Sequence, residues 1–116
     1  MIETLIINRL DAAGLRAFAE DPADPTQRPY YVIQKTAGSA PQHLRRATVA
    51  VQSYGETMMG AAQANAVMIP VVLGMAEHSA VSHVELNSDY NFTDTEKKRP
   101  RYQAVFDFTY YEEETA

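Results

Sequence analysis

The sequence predicts an α+β fold: a two-layer sandwich of a mainly antiparallel or mixed sheet of four to five strands, with two helices packed on one face. Three observations predict it. Residues 56–76 form the longest stretch that reads as one element, with Met58, Ala61, Ala62, Met68, Ile69, Val72 and Leu73 recurring at three- and four-residue steps. That spacing places them on one stripe of a helix. Most of the remaining apolar runs are short and alternate with polar residues, the pattern of half-buried strands. The connections between neighbouring runs are short, which favours antiparallel pairing with the helices gathered on one side.

The chain begins with an amphipathic helix over residues 2–10, with Ile2, Leu5, Ile6 and Leu10 on its apolar side and Gly14 placed to cap its C-terminal end. Residues 15–20 read as a first strand, and the prolines at 22 and 25 mark a loop. Residues 29–36 combine aromatic and β-branched side chains and predict a strong strand. Gly38 and Pro41 predict a loop over 37–42, followed by a strand over 44–54. In that strand Ala47, Val49 and Val51 face one way, while Arg46, Thr48 and Gln52 face the other. Gly55 separates it from the long helix, in which Pro70 predicts a kink or a new segment. A strand over 80–87 sets Ser82, Val84 and Leu86 against His83, Glu85 and Asn87, and a polar loop spans 88–99. The last strand, 101–111, lines one face with Tyr102, Ala104, Phe106, Phe108 and Tyr110. Residues 1–111 read as one domain and 112–116 as a solvated acidic tail.

Composition narrows the function. With 46% hydrophobic and 22% charged residues over 116 positions, the chain has the make-up of one globular domain rather than a disordered one. A net charge of −5 argues against a free nucleic-acid-binding domain, which usually carries a basic face. The absence of cysteine excludes disulfides and thiolate sites. The first residues carry Glu3 and Asp11 without a basic start, unlike a signal peptide. The 56–76 stretch is long enough to suggest a membrane span. Gln63, Asn65, Pro70 and the flanking Glu56 and Glu77 argue against one, so no membrane partner is expected.

No catalytic, cofactor-binding or metal constellation emerges. His78 and His83, near Glu77, Glu85 and Asp89, do not have zinc-site spacing and read as solvated or interface groups. Ser39 beside Gly38 lacks the nucleophile-elbow pattern, and the 37–42 loop lacks the Lys and Ser/Thr of a phosphate cradle. The tyrosines at 30, 31, 102, 110 and 111 fall on strands and read as core or interface packing. Arg45 with Arg46, and Lys97, Lys98 and Arg99 with Arg101, form the notable basic groups, either solvated or turned toward an acidic surface or passing nucleic acid. The second face of the long helix, with Gly60, Ala64, Ala66 and Gly74, is small and weakly charged, as a surface for close approach by a neighbour would be.

One arrangement is more informative than any single motif. A short N-terminal helix and a proline loop lead to the strand RPYYVIQKTAGS. A strand of the type LRRATVAVQSYGET then enters an Ala-rich helix, and the chain closes on SDYNFTDTEKKRPRYQAVFDFTYY. This resembles the tail terminator, or tail completion, family of long-tailed bacteriophages with non-contractile tails. The resemblance is carried most by Gln34, Lys35, Thr36, Ala37 and Gly38, and by Tyr90, Asn91, Pro100, Arg101 and Tyr102. Ala37 stands where the family has a first glycine of two. The resemblance implies an α/β sandwich that assembles as a hexameric ring at the head-proximal end of the tail. Such a ring caps the tail tube protein, stops its polymerisation and offers a surface to the head-tail connector protein. DNA only passes through its lumen. It implies no enzyme activity and no cofactor, in a virion protein assembled in the host cytoplasm.

On this reading the loops 36–43 and 88–99 are docking surfaces. The candidate interaction residues are Thr36, Gly38, Ser39, Arg45, Arg46, Ala64, Ala66, Lys97, Lys98, Arg99 and Arg101. The competing readings are another phage neck or head-closure component, a small metal-dependent enzyme at His78 and His83, and a monomeric binding module.

Overall fold

The computed structural model describes residues 1–22, 27–39 and 44–111. Its elements are α1 (Ile2–Ala12), β1 (Ala17–Phe18), β2 (Tyr30–Ser39), β3 (Leu44–Tyr54), α2 (Met58–Leu73), a 3₁₀ turn (Gly74–Glu77), β4 (Val81–Asn91) and β5 (Arg101–Tyr111). The strands form one five-stranded sheet in the order β1-β2-β3-β5-β4. β1 runs parallel to β2 and the other pairs are antiparallel, so the sheet is mixed. Both helices lie on the same side, as the strand alternation predicts.

The layers meet in one core. Ile2, Ile6 and Leu10 from α1 and Ala61, Ala64, Met68 and Val72 from α2 are buried, as are Val49, Val51, Ala104, Phe106 and Phe108 from the sheet. Strand alternation alone accounts for the sheet's share, because successive side chains point to opposite faces. α2 starts at Thr57, whose Oγ1 accepts from the backbone N–H of Gly60 at 3.0 Å and satisfies one free donor of the first turn. Helical structure runs through Pro70 to Leu73 and then tightens into the 3₁₀ turn, rather than breaking at the proline.

Several boundaries differ from expectation for local reasons. The first strand contracts to two residues, because β1 meets β2 only at Tyr31 and Val32. β2 runs on to Ser39, so Ala37, Gly38 and Ser39 belong to a strand rather than a loop. A bulge at Thr36 shifts the register, and its hydroxyl donates to the carbonyl of Thr48 at 3.2 Å. β4 likewise extends to Asn91, leaving 92–100 as the loop before β5. Bulges at Ser82 and Asn87 put Val81, not Ser82, on the buried side with Val84. Residues 40–43, including the predicted loop's Pro41, and the acidic tail 112–116 lie outside the described residues.

The buried side of α2 is turned from the predicted stripe. Ala64 and Asn65 are inside, while Met58, Ala62, Ile69 and Leu73 are half-buried. Polar contacts set this rotation. The hydroxyl of Tyr31 donates to the carbonyl of Ala64 at 3.0 Å, and Asn65 Nδ2 donates to Asp89 Oδ2 at 3.0 Å. The approach is close: a Cβ at Gly55 would overlap the backbone nitrogen of Ala61.

Gly55→Ala is expected to cost about 1–3 kcal/mol in urea denaturation, because the helix must move off the sheet to make room. Burial pushes the Tyr31 phenol up to about 12 from its ordinary 10. The unfolded chain therefore ionises first, and the stability this group contributes below its ordinary value is lost as the pH rises through about 12. Tyr31→Phe should cost about 1 kcal/mol at neutral pH and flatten that alkaline decline.

Candidate interaction surface

The helix-free face of the sheet is not uniformly bare. At the end where β3 leaves the sheet, Tyr30 and Tyr54 stack with ring centroids 4.6 Å apart and planes within 6°, and both are buried there with Val32. The 92–100 loop folds over this pair. Arg99 Nη2 donates to Asp21 Oδ2 at 2.6 Å, its Nη1 reaches Tyr30 Oη at 3.5 Å, and its guanidinium lies 5.0 Å from the centre of the Tyr54 ring. The hydrogen bond from Arg99 to Asp21, ahead of all other causes, raises the guanidinium's affinity for its proton. Arg101 donates from Nε to the carbonyl of Phe92 at 2.6 Å and from Nη1 to Tyr54 Oη at 3.0 Å.

The loop is braced within itself too. Asp94 and Arg99 exchange backbone hydrogen bonds at 3.0 Å, and Asp94 Oδ1 accepts from the backbone N–H groups of Glu96 and Lys97. The bond from Lys97, first among its causes, lowers the Asp94 carboxyl below its ordinary value. Lys98 takes a left-handed backbone with φ 52° at the tip. Lys97 and Lys98 are exposed there.

The basic residues singled out in the sequence therefore divide. Lys97 and Lys98 are available to a partner. Arg99 and Arg101 are half-buried and engaged in holding the loop to the sheet. A run of similar charges gives no sign of this division. The signal lay instead in the tyrosines at 30 and 54, whose flat faces attract guanidinium groups.

Thr36, Gly38, Ser39, Arg45 and Arg46 gather at the opposite end of the sheet, where β2 and β3 pair. Ala37, Gly38, Ser39, Arg46 and Thr48 line a shallow open trough of about 530 Å³ with His83, Glu85, Asp107 and Thr109. Its floor is tied together: Thr48 Oγ1 donates to Asp107 Oδ1 at 2.9 Å, and Asn87 Nδ2 donates to Asp107 Oδ2 at 2.9 Å. His83 Nε2 lies 3.7 Å from Glu85 Oε2, with both side chains exposed. His78 is elsewhere, at the end of the 3₁₀ turn, where its Nδ1 accepts from the backbone N–H of Ala80. Among the described residues no group of three or more His, Asp or Glu side chains is arranged to hold a metal.

The outer face of α2 is the remaining surface. Met59 and Val67 are 71% and 54% exposed, and Ala66, Pro70 and Gln63 are exposed beside them. No Asp, Glu, Lys or Arg occurs between Glu56 and Glu77. By length and composition alone, Met58–Glu77 would suit a membrane span. Its inner face is instead seated on the sheet. Of the two alanines expected to meet a neighbour, Ala66 is on this outer face. Ala64, 6% exposed, is in the core, a correction caused by the Tyr31 contact that turns the helix.

No family model matches the chain, and no curated protein matches it. The surfaces themselves are thus what bears on function: an uncharged, mostly apolar helix face, a braced loop with two lysines at its tip, and an open trough of mixed polar and apolar lining.

Arg99→Ala is expected to lower stability by about 1–2 kcal/mol and to speed amide exchange across 92–100. Lys97→Glu with Lys98→Glu should shift stability by no more than about 0.5 kcal/mol. Chemical denaturation and hydrogen exchange check both.

Proposed function

We propose that this chain is a structural assembly protein that forms a ring at the head-proximal end of a phage tail. The ring caps the tail tube, ends its polymerisation and presents a surface for joining the head connector. The phage assignment rests on the resemblance of residues 2–111 to the tail terminator family. The observation that carries self-assembly is the outer face of α2. Soluble surface helices carry charged or polar residues on the side away from the core. Here that side holds Met59, Ala66, Val67 and Pro70 around a single polar side chain, Gln63, without a charge over the whole helix. Covering such a face removes apolar area from water at no cost in stranded charge.

The fold suits this role in two further ways. A ring needs a contact in which one patch meets a different patch on the next copy, and the two layers of the sandwich present different chemistry. The 92–100 loop, braced through Arg99 and Asp94, holds Lys97 and Lys98 in place before any partner arrives. A docking loop ordered in advance loses less entropy on binding.

Purified protein is expected to run as a closed ring in solution and in negative stain, and to bind assembled tail tubes at one end and stop their growth. Ala66→Glu should leave the melting temperature of the isolated subunit nearly unchanged and abolish the ring. Ala64→Glu should instead unfold the subunit, because it buries an unpaired carboxylate. A ring that survives Ala66→Glu would place the contact elsewhere. A monomer that ignores tail tubes would overturn the assignment.

A further inference from the structure

Among the described residues, exposed large apolar side chains occur at Met1 before α1, at Tyr111 at the end of β5, and as two groups. One is the outer face of α2. The other is Tyr90 and Phe92, 41% and 37% exposed, at the end of β4. Their rings meet edge to face, with centroids 5.9 Å apart and planes at 89°. Neither ring is loose. Gln103 Nε2 donates to Tyr90 Oη at 2.6 Å, and the Arg101 guanidinium sits 4.5 Å over the Phe92 ring. A rigid, half-exposed aromatic pair with an arginine at its back has the chemistry of an interface anchor.

The two patches look in opposite directions. Tyr90 pairs in register with Gln103, which is bonded to Gln52 on the helix-free face, and Phe92 follows two residues later on the same side. The outer face of α2 points away from the sheet on the other layer. We propose that in the assembly the outer face of α2 of one copy packs on the Tyr90–Phe92 pair of the next copy. This inference rests on the ring reading above and names the two surfaces that form its contact.

Three features favour this partner. First, the charges match at the rims. The opposite ends of the α2 patch carry exposed Glu56 and Glu77, and the tip of the loop that follows Phe92 carries exposed Lys97 and Lys98 beside an exposed Glu96, which leaves the tip with a net positive charge. Second, neither centre strands a charge when water leaves. α2 has none, and Arg101, hydrogen-bonded to the Phe92 carbonyl and Tyr54 Oη, has the Asp94 carboxylate as an opposite charge within reach. Third, coverage of both patches favours a head-to-tail contact over a two-fold one. Two α2 faces meeting each other would leave Tyr90 and Phe92 bare in both copies. A head-to-tail ring covers both patches in every copy and gives each subunit two contacts instead of one.

Cysteine cross-linking tests this, since the chain has no cysteine of its own. Val67→Cys and Phe92→Cys are made separately and together, with thermal melting to confirm the fold, and treated with a short bismaleimide. The expected result is cross-linked dimer from a mixture of the two single variants and from neither alone, with a ladder reaching the full ring from the double variant. Met59→Cys with Tyr90→Cys, an independent pair across the same contact, should give the same ladder. Dimer from Val67→Cys alone would overturn the inference in favour of a two-fold contact. Rings without cross-links from either pair would overturn it while leaving the ring reading intact. Monomers throughout, from the unmodified chain as well, would overturn both.

Discussion

The contact between the inner face of α2 and the centre of the sheet is the constraint on which the rest depends. It is closest at the start of the helix, where Gly55 leaves room for the helix backbone at Ala61, and Ala61 and Ala64 are buried. Tyr31 then reaches across to the carbonyl of Ala64, and Asn65 to Asp89 on β4. Two directed hydrogen bonds on adjacent residues fix the rotation of the helix about its axis, which apolar packing by itself specifies poorly. The side-chain amide oxygen of Asn65, Oδ1, is buried without a partner, a local cost of holding that rotation. With the rotation set, the direction in which Met59, Ala66, Val67 and Pro70 face is set as well.

The other layer is organised by a different chemistry. No helix covers the helix-free face, yet Tyr30, Val32 and Tyr54 are buried on it. The cover is the 92–100 loop together with Phe18, and the loop's anchors are cations on aromatic rings and a carboxylate. Arg99 joins this loop to Asp21, so two segments far apart in sequence are held as one surface. The protein therefore presents a smooth apolar helix on one side and a braced, partly aromatic, lysine-tipped edge on the other. That asymmetry is what a head-to-tail assembly requires and a symmetric dimer does not.

The fold was largely legible in the sequence, because alternation in β3 and β5 and the helical period of α2 are strong local signals. β3 has the bounds the pattern predicts, and Tyr102 to Tyr110 share the face expected of them. The misses occur where a tertiary contact overrides a local one. Gly38 suggests a loop, yet pairing with β3 carries β2 past it. The bulge at Ser82 reverses which β4 residue is buried, and no sequence period announces a bulge. Ala64 and Ala66 look alike in sequence, and the rotation held by the Tyr31 and Asn65 hydrogen bonds decides which of them is inside. For the candidate surfaces the same limit applies: Lys97, Lys98 and Arg99 are one run of charge in sequence, while Arg99 alone has Asp21 and two tyrosines within reach.

The central claim is that the outer face of α2 is an assembly surface rather than a free one. Any association restricted to the folded state raises the melting temperature with protein concentration. The most direct measurement is therefore the melting temperature across a hundredfold range of subunit concentration. The account predicts a steady rise for the natural chain and a flat line for Val67→Glu. A natural chain whose melting temperature does not change over that range, with a monomer mass at its upper end, would contradict it.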